Sequence, residues 1–217
     1  MLRRNTHRAQ VPSGPQCAAP GGEFRHTCAT PQRETAAMPD FVPIQGLHHW
    51  AYRCRDAEET RRFYEDVLGL PLVHVIRADN VPSTGEHCPY VHIFFRMRDG
   101  SYLAFFDLGD DRASEPSPNT PAWVNHIALR VDSVAAVEDA KRRLKAAGVE
   151  ALGVTDHRFV KSIYFFDPNG IRLELTASTG VDEYVAEKER AAHEECAAWT
   201  REKAELRRSG ALRKVQV

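Results

Sequence analysis

No apolar run in this chain approaches the roughly 20 residues that span a bilayer, which excludes a membrane-crossing helix. There is no surplus of charge either. The 29 Lys and Arg residues face 30 Asp and Glu, a formal net charge of -1, so no global field recruits nucleic acid or an anionic membrane. Cysteine is sparse and scattered. Cys17, Cys28, Cys54, Cys88 and Cys196 form no Cys-x-x-Cys pair and are odd in number, which argues against a disulfide scaffold or a zinc ribbon and fits a reducing, cytoplasmic setting. Residues 1–37 carry no hydrophobic period and are expected to be a disordered N-terminal tail. That stretch has no apolar segment of the secretory type. Met38-Pro-Asp, just before the first ordered pattern, offers an alternative start.

What is present begins with one hairpin. In 162–176, Ile163, Phe165, Leu173 and Leu175 alternate at period two around the turn Asp167-Pro168-Asn169-Gly170, the pattern of two antiparallel strands. Alternation sends Tyr164 and Glu174 to the opposite face. A carboxylate in a hydrophobic strand costs several kcal/mol unless it is paired, hydrogen-bonded or bound to metal, so Glu174 needs a partner.

The hairpin closes the second of two copies of one unit. A first strand over 46–54 leads to Asp56-Ala57-Glu58-Glu59, a capping-box-like helix start, and the helix stops at Gly69. Candidate strands follow at 70–76, 90–97 and 101–108, and 110–121 reads as a linker. The order then repeats, with a strand at 124–131, a cap at Asp132-Ser133, a helix over 134–147 striped by Val137, Ala140, Leu144 and Ala147, and a strand at 149–154 before the hairpin. The predicted fold is α+β: two tandem βαβββ modules, 44–109 and 122–178, forming an open barrel over 44–178.

His49-Trp-Ala-Tyr-Arg53 matches His126-Ile-Ala-Leu-Arg130, so both histidines occupy one position of the repeat. His48 would instead match Asn125. If the two modules bring equivalent strands face to face, His49 and His126 converge near Glu174, and two imidazoles with one carboxylate are the facial triad that holds Fe(II) with open positions. The plainer alternative pairs Glu174 with Arg53 or Arg130.

These residues resemble the vicinal oxygen chelate superfamily of glyoxalases, fosfomycin- and bleomycin-resistance proteins and extradiol dioxygenases. The marks are Gly46-Leu-His-His49, Leu68-Gly69-Leu70, Asn125-His126-Ile-Ala-Leu-Arg-Val131 and Phe166-Asp-Pro-Asn-Gly170 with Arg172-Leu-Glu174. The resemblance implies a divalent metal held by residues matching His49, His126 and Glu174. Counting from the hairpin glycines, Ala104 stands where a fourth, glyoxalase-type ligand would lie, and Asp107 could serve only through a register shift. Tyr164 and His157 resemble a tyrosine and a histidine that extradiol enzymes place beside substrate, although Tyr164 can equally be a core residue and His157 part of a solvated turn. The other acid-base histidine of those enzymes has no counterpart at 99–102, and the nearest candidates are His92, His87 and Tyr102. Rings at Phe94, Phe95, Phe105 and Phe106 suit a flat apolar substrate.

The resulting expectation is an Fe(II)-dependent extradiol-type dioxygenase, with Mn(II), Zn(II) or Ni(II) as alternative metals, acting on a small catechol-like aromatic and O2. A glyoxalase- or fosfomycin-resistance-like lyase, isomerase or transferase is the alternative, followed by a metal-free binding protein. No nucleic acid or membrane partner is expected. Residues 181–208 read as an amphipathic helix, with Val185, Ala192, Cys196 and Trp199 on one face, packing on the barrel or on a partner subunit of a homo-oligomer.

Overall fold

The structure, a computed structural model, describes residues 42–212 except 116. The expected tail at 1–37 lies outside the described residues. Strand β1 (His49–Cys54) leads into α1, helical over Ala57–Arg61 and continuing as a wider π-type turn over Arg62–Val67. Strands β2 (Leu72–Asn80), β3 (His87–Arg96) and β4 (Tyr102–Asp107) complete the first module. The second comprises β5 (Ile127–Arg130), α2 (Val134–Ala146), β6 (Leu152–Asp156), β7 (Val160–Phe166) and β8 (Arg172–Ser178), and α3 (Asp182–Arg208) follows. Each module is one four-stranded sheet, in the orders β1-β4-β3-β2 and β5-β8-β7-β6, so the α+β architecture of two βαβββ units is as the repeat predicts.

Local chemistry sets the helix ends. Asp56 Oδ1 accepts from the Glu59 amide at 2.6 Å, and Ser133 Oγ from the Ala136 amide at 3.1 Å, each satisfying one orphan donor of a first turn. The β2–β3 hairpin runs further than apolar alternation indicates, because Arg77-Ala-Asp-Asn80 is polar. Backbone pairing carries it instead, through Ala78↔Tyr90 and Asn80↔His87.

The two sheets share one core. Ile93, Phe95, Leu103 and Phe105 from the first and Ile163, Phe165 and Leu173 from the second are all within 3% of full burial, and Tyr64 of α1 and Val137 of α2 are fully buried with them. Burial of each such side chain contributes about 1.5–3 kcal/mol. Consequently both sheets turn their Phe- and Leu-bearing faces inward. The alternate faces, which carry His49 and His126, point away from the shared core.

The turn at 167–170 locks the modules together. Asp167 Oδ1 accepts from the amides of Asn169 and Ile171, closing the turn, while Oδ2 accepts from the buried Tyr64 hydroxyl at 3.0 Å. Asn169 accepts from the Arg55 amide at 2.9 Å and donates to Thr60 Oγ1 at 3.2 Å. Burial raises the pKa of Asp167 despite these donors. Tyr64→Phe removes one hydrogen bond to a buried carboxyl, so it is expected to lower unfolding stability by about 1.5–3 kcal/mol, read as a lower urea midpoint at unchanged slope.

Candidate metal and substrate site

Strand register confirms the internal alignment of the copies. Ala51 pairs with Ala104 in the first sheet as Ala128 pairs with Glu174 in the second. Ala104 therefore takes the place of Glu174, and the first module offers no carboxylate there. Asp107 does not substitute, since its carboxylate accepts from the amides of Ala57 and Gly109.

Glu174 is 6% exposed, and its partner is a histidine. His126 Nε2 stands 3.1 Å from Glu174 Oε2, while His126 Nδ1 lies 2.9 Å from the Val124 carbonyl. A carbonyl only accepts, so Nδ1 carries a proton and Nε2 faces the carboxylate. A proton or a cation shared between Nε2 and Oε2 holds the two at that distance. A backbone-oriented imidazole facing a buried carboxylate is thus suited to a divalent metal, as two of the donors such an ion needs. Arg53 is occupied by Asp110 and the Arg112 carbonyl.

Tyr164 sits directly across from Glu174 in the β7–β8 ladder. His157 Nε2 is 2.7 Å from its hydroxyl, the Arg172 guanidinium lies 4.4 Å from its ring centroid, and the His126 ring meets it edge-on at 6.0 Å. Burial, and then the charge of Glu174, push the Tyr164 phenol upward, so it remains a hydroxyl that can donate at neutral pH. Arg172 was not singled out by sequence reasoning. Its Nε is buried without a partner among the described residues, which leaves a donor available beside Tyr164. Its position two residues before Glu174, on the same strand face, is the signal that could have found it. His126 and Arg172 also line a cavity of about 150 Å³ with Tyr52, Asn125 and Phe166.

His49 lies elsewhere. The expectation that it meets His126 and Glu174 within one chain is not met: among the described residues, no group of three His, Cys, Asp or Glu side chains gathers as around a metal ion. The reason is the direction in which the sheets pack, with both histidine-bearing faces turned outward. His49 Nδ1 is 2.8 Å from His48 Nδ1, and the His49 ring stands 5.9 Å from Phe94 and 6.3 Å from His92. Phe94 and Phe106 line this outer face, whereas Phe95 and Phe105 belong to the core. Of the other candidates, His87 bonds Asn80 in the hairpin, and Tyr102 packs beside His48 and Phe94.

His92 is buried, stacked on Phe106 at 3.6 Å, and its Nε2 has no hydrogen-bond partner among the described residues. Burial first, and then nearby His49, depress its pKa from 6.5 to about 4. Between those values the unfolded chain binds the extra proton and the folded chain does not, so stability falls as pH drops from 6.5 toward 4. The full effect is on the order of 3 kcal/mol. Denaturant midpoints measured across that window should show the loss, and His92→Phe should flatten it.

The paired βαβββ fold, with the His126–Glu174 pair on an outward sheet face, defines a duplicated α+β domain. Residues 46–175 match the Glyoxalase/Bleomycin resistance protein/Dioxygenase superfamily, and the chain belongs to it. The chain is 28% identical over 139 residues to MhqA of Bacillus subtilis (strain 168), whose name assigns it provisionally to the ring-cleaving dioxygenases. That match covers 63% of this chain and 41% of MhqA, so the chain spans less than half the length of that relative. A glyoxylase/bleomycin resistance protein/dioxygenase domain from Frankia sp. EAN1pec superposes with a TM-score of 0.51 at 17% identity, covering 63% of this chain and 99% of that one. FosX, the fosfomycin resistance protein of Listeria monocytogenes, solved with Mn(II) and sulfate, gives 0.47 at 24% identity over 66% and 99%. No helix among the described residues is long and apolar enough to cross a membrane.

Proposed function

We propose that the protein is a metal-dependent extradiol-type dioxygenase of catechol-like aromatics, working in the cytoplasm as a homo-oligomer. The observation that carries the reading is the 3.1 Å contact of His126 Nε2 with the buried Glu174 carboxylate, placed beside the His157–Tyr164 hydrogen bond. His126 and Glu174 hold Fe(II), or alternatively Mn(II), Zn(II) or Ni(II), together with His49. Bound iron supplies open positions for a catecholate and O2. The protein's own residues do the rest. The Tyr164 hydroxyl holds a substrate oxygen, His157 takes up or returns the proton that passes through it, and Arg172 offsets the negative charge left on the substrate.

The third ligand comes from a second copy. His49 lies on one outward sheet face that also carries exposed Ile76, and the His126–Glu174 pair on another that carries exposed Leu152. A two-fold axis that sets the first module of each chain on the second module of its partner covers both apolar margins and makes two equal sites. Each site then has a polar half from 126, 164 and 174 and an aromatic half from 49, 94 and 106.

Oxygen uptake tests the reaction. Protein loaded with Fe(II) without air should consume O2 with a substituted catechol, putting both oxygen atoms into a yellow ring-opened product. No uptake across a panel of catechols, with metal-dependent turnover of an epoxide or a glutathione hemithioacetal instead, would transfer the assignment to the lyase, isomerase or transferase class.

A further inference from the structure

Helix α3 has 27 residues and not one of them is buried; its first turn is tied to the rest of the chain by Arg158, which lies 4.5 Å over the Tyr184 ring. A helix in water draws most of its stability from packing an amphipathic face, so α3 needs a cover. Its stripe shows which one. Val185, Ala192, Trp199 and Leu206 recur at intervals of seven, two helical turns, and run nearly straight along the axis. Val185 and Trp199 are 46% and 53% exposed.

The stripe is symmetric about a point between residues 195 and 196. Reversing the helix about that point lays Val185 on Leu206 and the small Ala192 on the large Trp199, so each indole finds a gap instead of another indole. The charges reverse with it. Residues 182–195 hold six acids and two bases, and 196–208 hold four bases and two acids. Antiparallel alignment therefore sets the acidic half on the basic half at both ends, with the helix dipoles opposed. A parallel pair would set like on like.

We propose that α3 packs antiparallel on α3 of a second copy of this chain, with the two-fold axis passing beside Cys196. The exposed thiol falls next to its own counterpart, and on the same flank Glu189 lies against Lys203 of the second copy, twice by symmetry. The argument uses only α3 and stands apart from the metal and the reaction.

Thiol crosslinking of the full chain tests it. Diamide, an azo oxidant, accepts two electrons and two protons as two Cys196 thiols become a disulfide, so a covalent dimer should appear on a non-reducing gel and vanish in Cys196→Ser. Glu189→Lys sets like charges against each other at both flanking positions, where Lys203 loses its acidic partner, and should cut the crosslinking rate roughly fivefold. The charge-swapped pair Glu189→Lys with Lys203→Glu should restore it. Trp199→Ala removes both central rings and should slow crosslinking by about tenfold or more. A dimer crosslinked through another cysteine, no crosslink at all, or a swap that does not recover the rate would each overturn the proposal. These surface variants leave the His126–Glu174 pair untouched, so their outcome is read independently of metal binding.

Discussion

Glu174→Ala is expected to abolish divalent metal binding, and His126→Ala to do the same, measured as metal retained after gel filtration of protein loaded without oxygen. Among the described residues Glu174 is the one carboxylate paired with His126 Nε2, and its removal leaves a single imidazole in that module. One donor cannot satisfy an ion that needs at least three. His49→Ala should also strip the metal, whereas His48→Ala should retain it, because β1 begins at His49 and the His48 carbonyl is taken by the Tyr102 amide. Shared sites make a sharper forecast. Mixing His49→Ala with Glu174→Ala gives heterodimers in which both lesions fall in one site and the other is whole. Random exchange should then recover about a quarter of wild-type metal. If the mixture binds none, the third ligand is not supplied by a second copy.

The same geometry explains how much of the molecule was open to sequence reasoning. The duplication could be read from 49–53 and 126–130 because each strand residue must pair at one register, and a shift by a single residue would turn every side chain to the wrong face. The Ala51↔Ala104 and Ala128↔Glu174 pairs have that register. Alternation likewise put Tyr164 beside Glu174. What alternation does not encode is which sheet face meets which once two modules fold together. Both faces of the first sheet are aromatic, with Phe95 and Phe105 on one and Phe94 and Phe106 on the other. The choice between them is made by Tyr64, Thr60 and the 167–170 turn, contacts more than 100 residues apart in sequence. Asp167-Pro-Asn-Gly170 signals a turn at any location. That its carboxylate and amide also seat the opposite module is a property of the fold, and it turns the histidine faces outward.

Tyr164→Phe should separate metal binding from catalysis. The phenol faces Glu174 across the ladder, but its hydroxyl bonds His157, 2.7 Å away, and its loss removes no metal donor. Full metal content is therefore expected, together with a fall in kcat larger than any change in KM, because the hydroxyl acts where charge shifts on the substrate oxygen. His157→Ala should be more damaging than the loss of one hydrogen bond, since a proton-transfer group contributes on the order of 10²–10⁴ in rate. If the hydroxyl relays the proton to His157, the two changes belong to one unit, and the double variant should be about as slow as His157→Ala alone. Additive losses would place the two side chains on separate tasks. Loss of metal from Tyr164→Phe would mean that the phenol, not the distant His49, completes the ligand set around His126 and Glu174.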